Sequence, residues 1–225
     1  MKVLREKLSL KFFLFVIAAF VLIQVPFVGN YVKCINTLIH ESGHALIALF
    51  GGKVETISLF MNSEGVTYSR QSTWLGSFLT SLAGYIFSSF MAFLSFLFIK
   101  KGKQALFIDI LLVLIVLNLL FWVRNPYGLF WLASFGLLFL YLLIKGSENF
   151  RNHLLLLIAA IILVDSIKSP YEILWISFNS VNIAGDAGNL AHLTLFIPAQ
   201  LWGAFFFIQA LGFCYLSLRK GHYHV

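Results

Sequence analysis

The residues best suited to chemistry lie together in Leu38-Ile39-His40-Glu41-Ser42-Gly43-His44-Ala45-Leu46-Ile47. Two histidines four residues apart on a helix share one face, with Cβ atoms about 5–6 Å apart, close enough to grip one cation. Imidazole nitrogen suits Zn²⁺, which prefers tetrahedral N, O or S ligation. Glu41, next to the first histidine, can reach water at such a centre without ligating the ion, take its proton, and pass that proton to a leaving amine. The pattern is H-E-x-x-H. With six His and six Glu in 225 residues, chance supplies about 0.004 such matches. The bland alternative is a coincidence of buried polar side chains. It must place three ionisable groups in an otherwise apolar helix, where each charge costs on the order of 2.5–3.5 kcal/mol. A metal site is the better reading.

A catalytic zinc takes three protein ligands and keeps a fourth position open. Asp186, in Ala184-Gly185-Asp186-Ala187-Gly188-Asn189-Leu190-Ala191, is the first choice for the third ligand. Its flanking glycines would let the backbone bend the carboxylate toward the histidine helix. Asp165 and His192 are the rivals. Asp165 stands near the end of an apolar run beside Ser166 and Lys168, a setting typical of an interfacial charge. His192 and Asn189 are also candidates to support the ligands or to touch a substrate. Asp109 is expected in the bundle interior or drawn toward Lys100-Lys101-Gly102-Lys103. His222 and His224 sit in a basic tail and read as a solvated end.

These residues must be held by an unusual chain. It is 60% hydrophobic and 17% aromatic, with 25 Phe but only 11% charged residues, and its mean hydropathy is +0.91. An average soluble domain has about 25% charged residues. Here 16 Lys plus Arg and 9 Asp plus Glu cannot cover a globule of this size. Soluble globular, disordered and nucleic-acid-binding classes are therefore excluded: the net charge of +7 falls in small clusters between apolar runs, as in loops between membrane spans. The expected fold is an all-α polytopic membrane protein of about six to seven transmembrane helices, forming one domain over residues 1–225. Apolar runs long enough to cross the bilayer fall at about 11–29, 32–50, 73–99, 104–123, 127–144, 152–168 and 196–218. The first of these, after Met1 to Lys11, reads as a retained helix and not as a cleaved signal. Positive residues divide evenly between the two sides, so they set no orientation.

Two stretches break the pattern. Residues 51–70 carry short β-prone runs around Asn62-Ser-Glu-Gly65 and predict a β-hairpin directly after the histidine helix. Pro170 to Thr194, rich in Asn, Ser, Gly and Asp, predicts a polar irregular segment before the last helix. Irregular backbone at membrane depth survives only when buried in protein or lining a wet cavity. Cys34 and Cys214 lie far apart inside apolar runs and read as small buried hydrophobes.

In order along the chain, His40-Glu-Ser-Gly-His44, Leu49-Phe-Gly-Gly52 with its polar hairpin, Ser81-Leu-Ala-Gly-Tyr85, Val123-Arg-Asn-Pro-Tyr-Gly128, Asp186-Ala-Gly-Asn-Leu-Ala191, Thr194-Leu-Phe-Ile-Pro-Ala199 and Trp202-Gly203 resemble the site-2-protease class of intramembrane zinc metalloproteases (peptidase M50), in its M50B-like branch. The resemblance spans residues 40–203. It implies Zn²⁺ held by His40, His44 and Asp186, Glu41 as general base, and a peptide bond cut within or near the bilayer in a transmembrane protein substrate. The chain departs from better-known members at the aspartate, which sits in Gly-Asp-Ala-Gly without a preceding Leu or a nearby upstream Pro. Two other classes compete. A membrane H-E-x-x-H hydrolase acting on prenylated C-termini takes its third ligand from a Glu with an Asp four residues on. None of Glu55, Glu64, Glu148 and Glu172 has one. A non-catalytic relative, such as a metal-binding regulator or transporter component, is the other.

Overall fold

A computed structural model of the chain describes residues 10–180 and 183–220, the side chains of 219 and 220 excepted. Asn182, His222, His224 and the charges before Leu10 therefore lie outside the described residues. Eight α-helices and one hairpin follow in order: α1 (Leu10–Leu22), α2 (Val28–Ala48), β1 (Gly52–Leu59), β2 (Gly65–Gln71), α3 (Trp74–Lys100), α4 (Gln104–Leu117) with a π-helical turn at Asn118–Trp122, α5 (Pro126–Ile144), α6 (Glu148–Asn179), α7 (Gly185–Thr194) and α8 (Ala199–Lys220). Five of them, namely α3, α4 with its π turn, α5, α6 and α8, are long and apolar enough to cross a membrane. The protein is an all-α polytopic membrane protein with one β-hairpin. Many large apolar side chains face outward, among them Leu137, Ile144, Trp175 and Ile208. Hydrocarbon surroundings make that exposure favourable, where water would penalise it.

Three boundaries differ from expectation, each for a local reason. The first apolar run does not form a single span over 11–29. It ends as the 13-residue α1, about 20 Å long at 1.5 Å per residue, and α2 starts at Val28. Pro26 lacks an N–H and drives its predecessor out of helical geometry. The turn then folds back so tightly that a Cβ on Gly29 would lie 2.4 Å from the Ile23 carbonyl oxygen. By contrast α6 does not stop at 168 but runs through Pro170 to Asn179, because helix is the backbone's cheapest state in hydrocarbon even at proline. The same economy orders the stretch from Pro170 to Thr194: it is mostly the end of α6 and the ten-residue α7. Among the described residues of this stretch, Ser180 and the two residues before α7 leave α-helical geometry.

The hairpin is as expected, with antiparallel pairing from Gly52↔Gln71 to Leu59↔Gly65 and a bulge between Val54 and Thr56. Asn62 closes the turn by accepting the Glu64 N–H on its side chain. On the outer side of β1, Ile57 pairs in parallel with Val123, and the Asn125 side chain holds Leu59 by both backbone groups. Thus β1 is bordered on both edges, whereas among the described residues β2 pairs along one edge only, with β1, and its Gly65 and Thr67 sit beside α2. Both cysteines are free, with Cys34 buried.

One large apolar core joins α1 to α6. A smaller one of Tyr85, Ala184, Ala187, Leu190, Ala199 and Phe206 packs α7 against α3 and α8. The alanines on α7 allow that close seat, and Trp74 of α3 adds a hydrogen bond to the Leu193 carbonyl.

Candidate active site

Helical spacing puts His40 and His44 on one face of α2, and packing brings α3 onto the same face. A Cβ on Gly84 would lie 2.4 Å from His40 Nε2 and 2.5 Å from His44 Nε2. Only glycine fits there. On the α2 side Gly43 does the same, since its added Cβ would stand 2.8 Å from the Phe87 Cβ. The Tyr85 ring closes on His40 edge to face at 4.5 Å between centroids.

Helix α7 delivers Asp186 from its first turn. Gly185 takes φ +49°, a left-handed conformation that L side chains resist, so the glycine before the aspartate sets the entry of the chain into α7. The carboxylate oxygen Oδ2 lies 3.2 Å from His40 Nε2 and 3.2 Å from His44 Nε2, and the two nitrogens are 2.9 Å apart. His44 Nδ1 is 2.6 Å from the Thr80 carbonyl oxygen. A carbonyl only accepts, so Nδ1 carries the proton and the neutral ring's Nε2 presents a lone pair to the other two atoms.

Three atoms that can all act as electron-pair donors thus converge. Tetrahedral Zn²⁺ with bonds of about 2.0–2.1 Å spaces its ligands about 3.3–3.4 Å apart, close to the observed triangle. Asp186 Oδ2 is buried and no hydrogen-bond partner satisfies it among the described residues. A crowded, donor-poor corner of this kind fits a metal cation. Among the described residues, His40, His44 and Asp186 form the one group of three or more His, Cys, Asp or Glu side chains close enough for that.

Glu41 is 5% exposed and turns toward β2, where the Thr67 hydroxyl donates to its Oε2 at 2.6 Å. Gly65 admits this contact, because a Cβ there would lie 2.7 Å from Glu41 Oε1. These residues border a cavity of about 730 Å³, lined also by residues of α3, α6 and β2.

The other candidates separate clearly. Asn189 lines the cavity. Asp165 lines it too, but pairs with Asn36 and stands outside the histidine group. His192 is exposed and does not line the cavity; six residues after Asp186, it points to another side of α7. Asp109 is exposed on α4. Reading the sequence singled out neither Thr67 nor Thr80. A threonine in a β-prone run and a backbone carbonyl carry no signal of their own.

Fold and site together define a polytopic membrane protein with a metal-competent His-His-Asp group beside a glutamate, all opening on one internal cavity. The Peptidase M50B-like family model matches residues 13–217, and the chain belongs to that family. It is accordingly a multi-pass integral membrane protein of a peptidase-like family. No curated protein and no solved structure matches it.

Proposed function

We propose that the protein is an intramembrane zinc metalloendopeptidase, built as one domain, that hydrolyses peptide bonds of transmembrane proteins. The observation that carries the reading is the convergence of His40, His44 and Asp186 within 3.2 Å, with Glu41 on the same cavity. His40, His44 and Asp186 would hold the ion. When bound, Zn²⁺ is a Lewis acid that acidifies water to near neutrality and polarises a carbonyl.

The chain's own residues supply the rest. Thr67 fixes the Glu41 carboxylate through its hydrogen bond. Glu41 takes a proton from the attacking water and returns it to the amide nitrogen as the C–N bond breaks. Thr80 holds the His44 ring in orientation. A transmembrane helix hides its carbonyls in its own hydrogen bonds, so the substrate must unwind before attack. The outer edge of β2 offers backbone partners to such an extended segment, while Val123 and Asn125 occupy the far edge of β1. Asn189, which lines the cavity, would touch the substrate from α7.

The test is zinc stoichiometry of detergent-purified wild type, His44→Ala and Asp186→Ala, with hydrolysis of a transmembrane reporter in liposomes. One zinc in wild type, loss in both variants, and zinc-bound but inactive Glu41→Gln are expected. Full zinc in Asp186→Ala, or turnover by Glu41→Gln, would overturn these assignments.

A further inference from the structure

The cavity also holds a polar pair that the proposed reaction leaves unused. Asn36 and Asp165 both line it and are 4% and 5% exposed. Asn36 Nδ2 donates to Asp165 Oδ2 at 3.0 Å, joining α2 to α6. Asn36 Oδ1 is buried, and no donor reaches it among the described residues. An unmet acceptor in apolar surroundings costs about 1–3 kcal/mol. A clasp that merely joined two helices would not need to face a cavity or to leave an acceptor open. The neighbouring Glu172 is paired with Lys168 at 2.8 Å, whereas Asn36 Oδ1 has no donor among the described residues and stands beside Asp165 on this wall.

Their position relative to the histidines is set by α2. Lys33, Asn36, Thr37, His40, Glu41 and His44 all line the cavity, so it extends along the helix. Asn36 precedes His40 by four residues, about 6 Å of axis. Strand β2 lies alongside in the same direction: Gly65 sits against Thr37 and Glu41, Thr67 bonds Glu41, and Gln71 reaches the Ala48 carbonyl. An extended chain advances about 3.3 Å per residue, so 6 Å is about two residues.

We propose that Asn36 and Asp165 form a specificity subsite for a substrate side chain that donates N–H, two residues from the bond to be cut. The inference rests on the peptidase reading for its register but not for its chemistry. Two acceptors select an N–H donor, either a carboxamide or an ammonium. They reject an apolar side chain, which leaves them unpaired, and a carboxylate, which repels Asp165.

The test uses four single-span model peptides that differ only at one central residue: Asn, Lys, Asp or Leu. Each is titrated, by fluorescence, into zinc-loaded Glu41→Gln protein in nanodiscs, so that binding is read without turnover. The Asn or Lys peptide is expected to bind at least tenfold more tightly than the Leu and Asp peptides, and which of the two leads identifies the donor. Adding Asn36→Leu should shrink the preference to under twofold, and Asp165→Asn should remove any advantage of Lys while keeping the zinc. Equal binding of all four peptides, or a preference that survives both substitutions, would overturn the subsite and leave the pair an interhelical clasp. A donor preference in binding, with no hydrolysis by wild-type protein, would instead sink the peptidase reading and leave the subsite standing.

Discussion

At the scale of single residues, close approach and hydrogen bonding make the candidate centre. Gly84 is the tightest constraint, because any side chain there would meet both histidine nitrogens. Gly84→Ala should therefore lower zinc occupancy more than tenfold in elemental analysis. Gly136→Ala, whose new Cβ would meet only Ile115 at 3.5 Å, should keep full zinc. Thr67 makes a separable contribution. Thr67→Val keeps the shape but removes the donor to Glu41, a charge-assisted bond worth about 1.5–3 kcal/mol. Steady-state kinetics should show kcat reduced about tenfold or more, with KM and zinc content unchanged, and Thr67→Ser should recover most of it. A rise in KM with kcat unchanged would detach Thr67 from the base.

At the scale of elements, the linker between α4 and α5 acts as a brace for the hairpin. The π turn buries Asn118, whose amide donates to the Ser42 hydroxyl on α2, beside Glu41. Five residues on, Val123 bridges to Ile57 and Asn125 grips Leu59 by its N–H and C=O. The side-chain amide thus does what a third strand would do, and does it without leaving a second open edge. Asn125→Leu leaves the Leu59 groups unpaired, at a cost of about 1–3 kcal/mol. Amide hydrogen exchange should quicken over residues 57–67 in this variant while the centre of α3 keeps its protection. Unchanged exchange in the hairpin would show that Val123 suffices.

At the scale of the whole molecule, the centre joins parts of the chain that no local interaction connects. His40 and His44 belong to α2 near the start and Asp186 to α7 near the end. Helix α7 is short, and its seat against α3 and α8 rests on a small core, half of it alanine. A cation binding only the folded state stabilises it by about 4 kcal/mol at a thousand times its Kd. Chelation should therefore lower the melting temperature and speed hydrogen exchange in 185–194 before it does so in α3 or α6. Exchange in α7 that ignores chelation would argue against Asp186 as a ligand.

Much of this protein is local in origin, and the sequence by itself determined that much. Composition and run length specify a polytopic helical membrane protein, since so few charges cannot keep such a chain in water. The four-residue spacing of His40 and His44 specifies a shared helix face, because 3.6 residues make a turn. The β-prone runs around Asn62 specify the hairpin. The flanking glycines put Asp186 first among the candidates, but only tertiary structure brings it, and not Asp165, against those histidines. Asp165 and Asp186 are both carboxylates in the last third of the chain, and nothing local ranks them by distance from α2. The ranking comes from packing. Alanines and Gly188 seat α7 against α3 and α8, while Asn36 draws Asp165 to a different turn of the same helix. Thr67 on Glu41 and Thr80 on His44 are likewise long-range pairs, set by how α2, α3 and β2 close on one another.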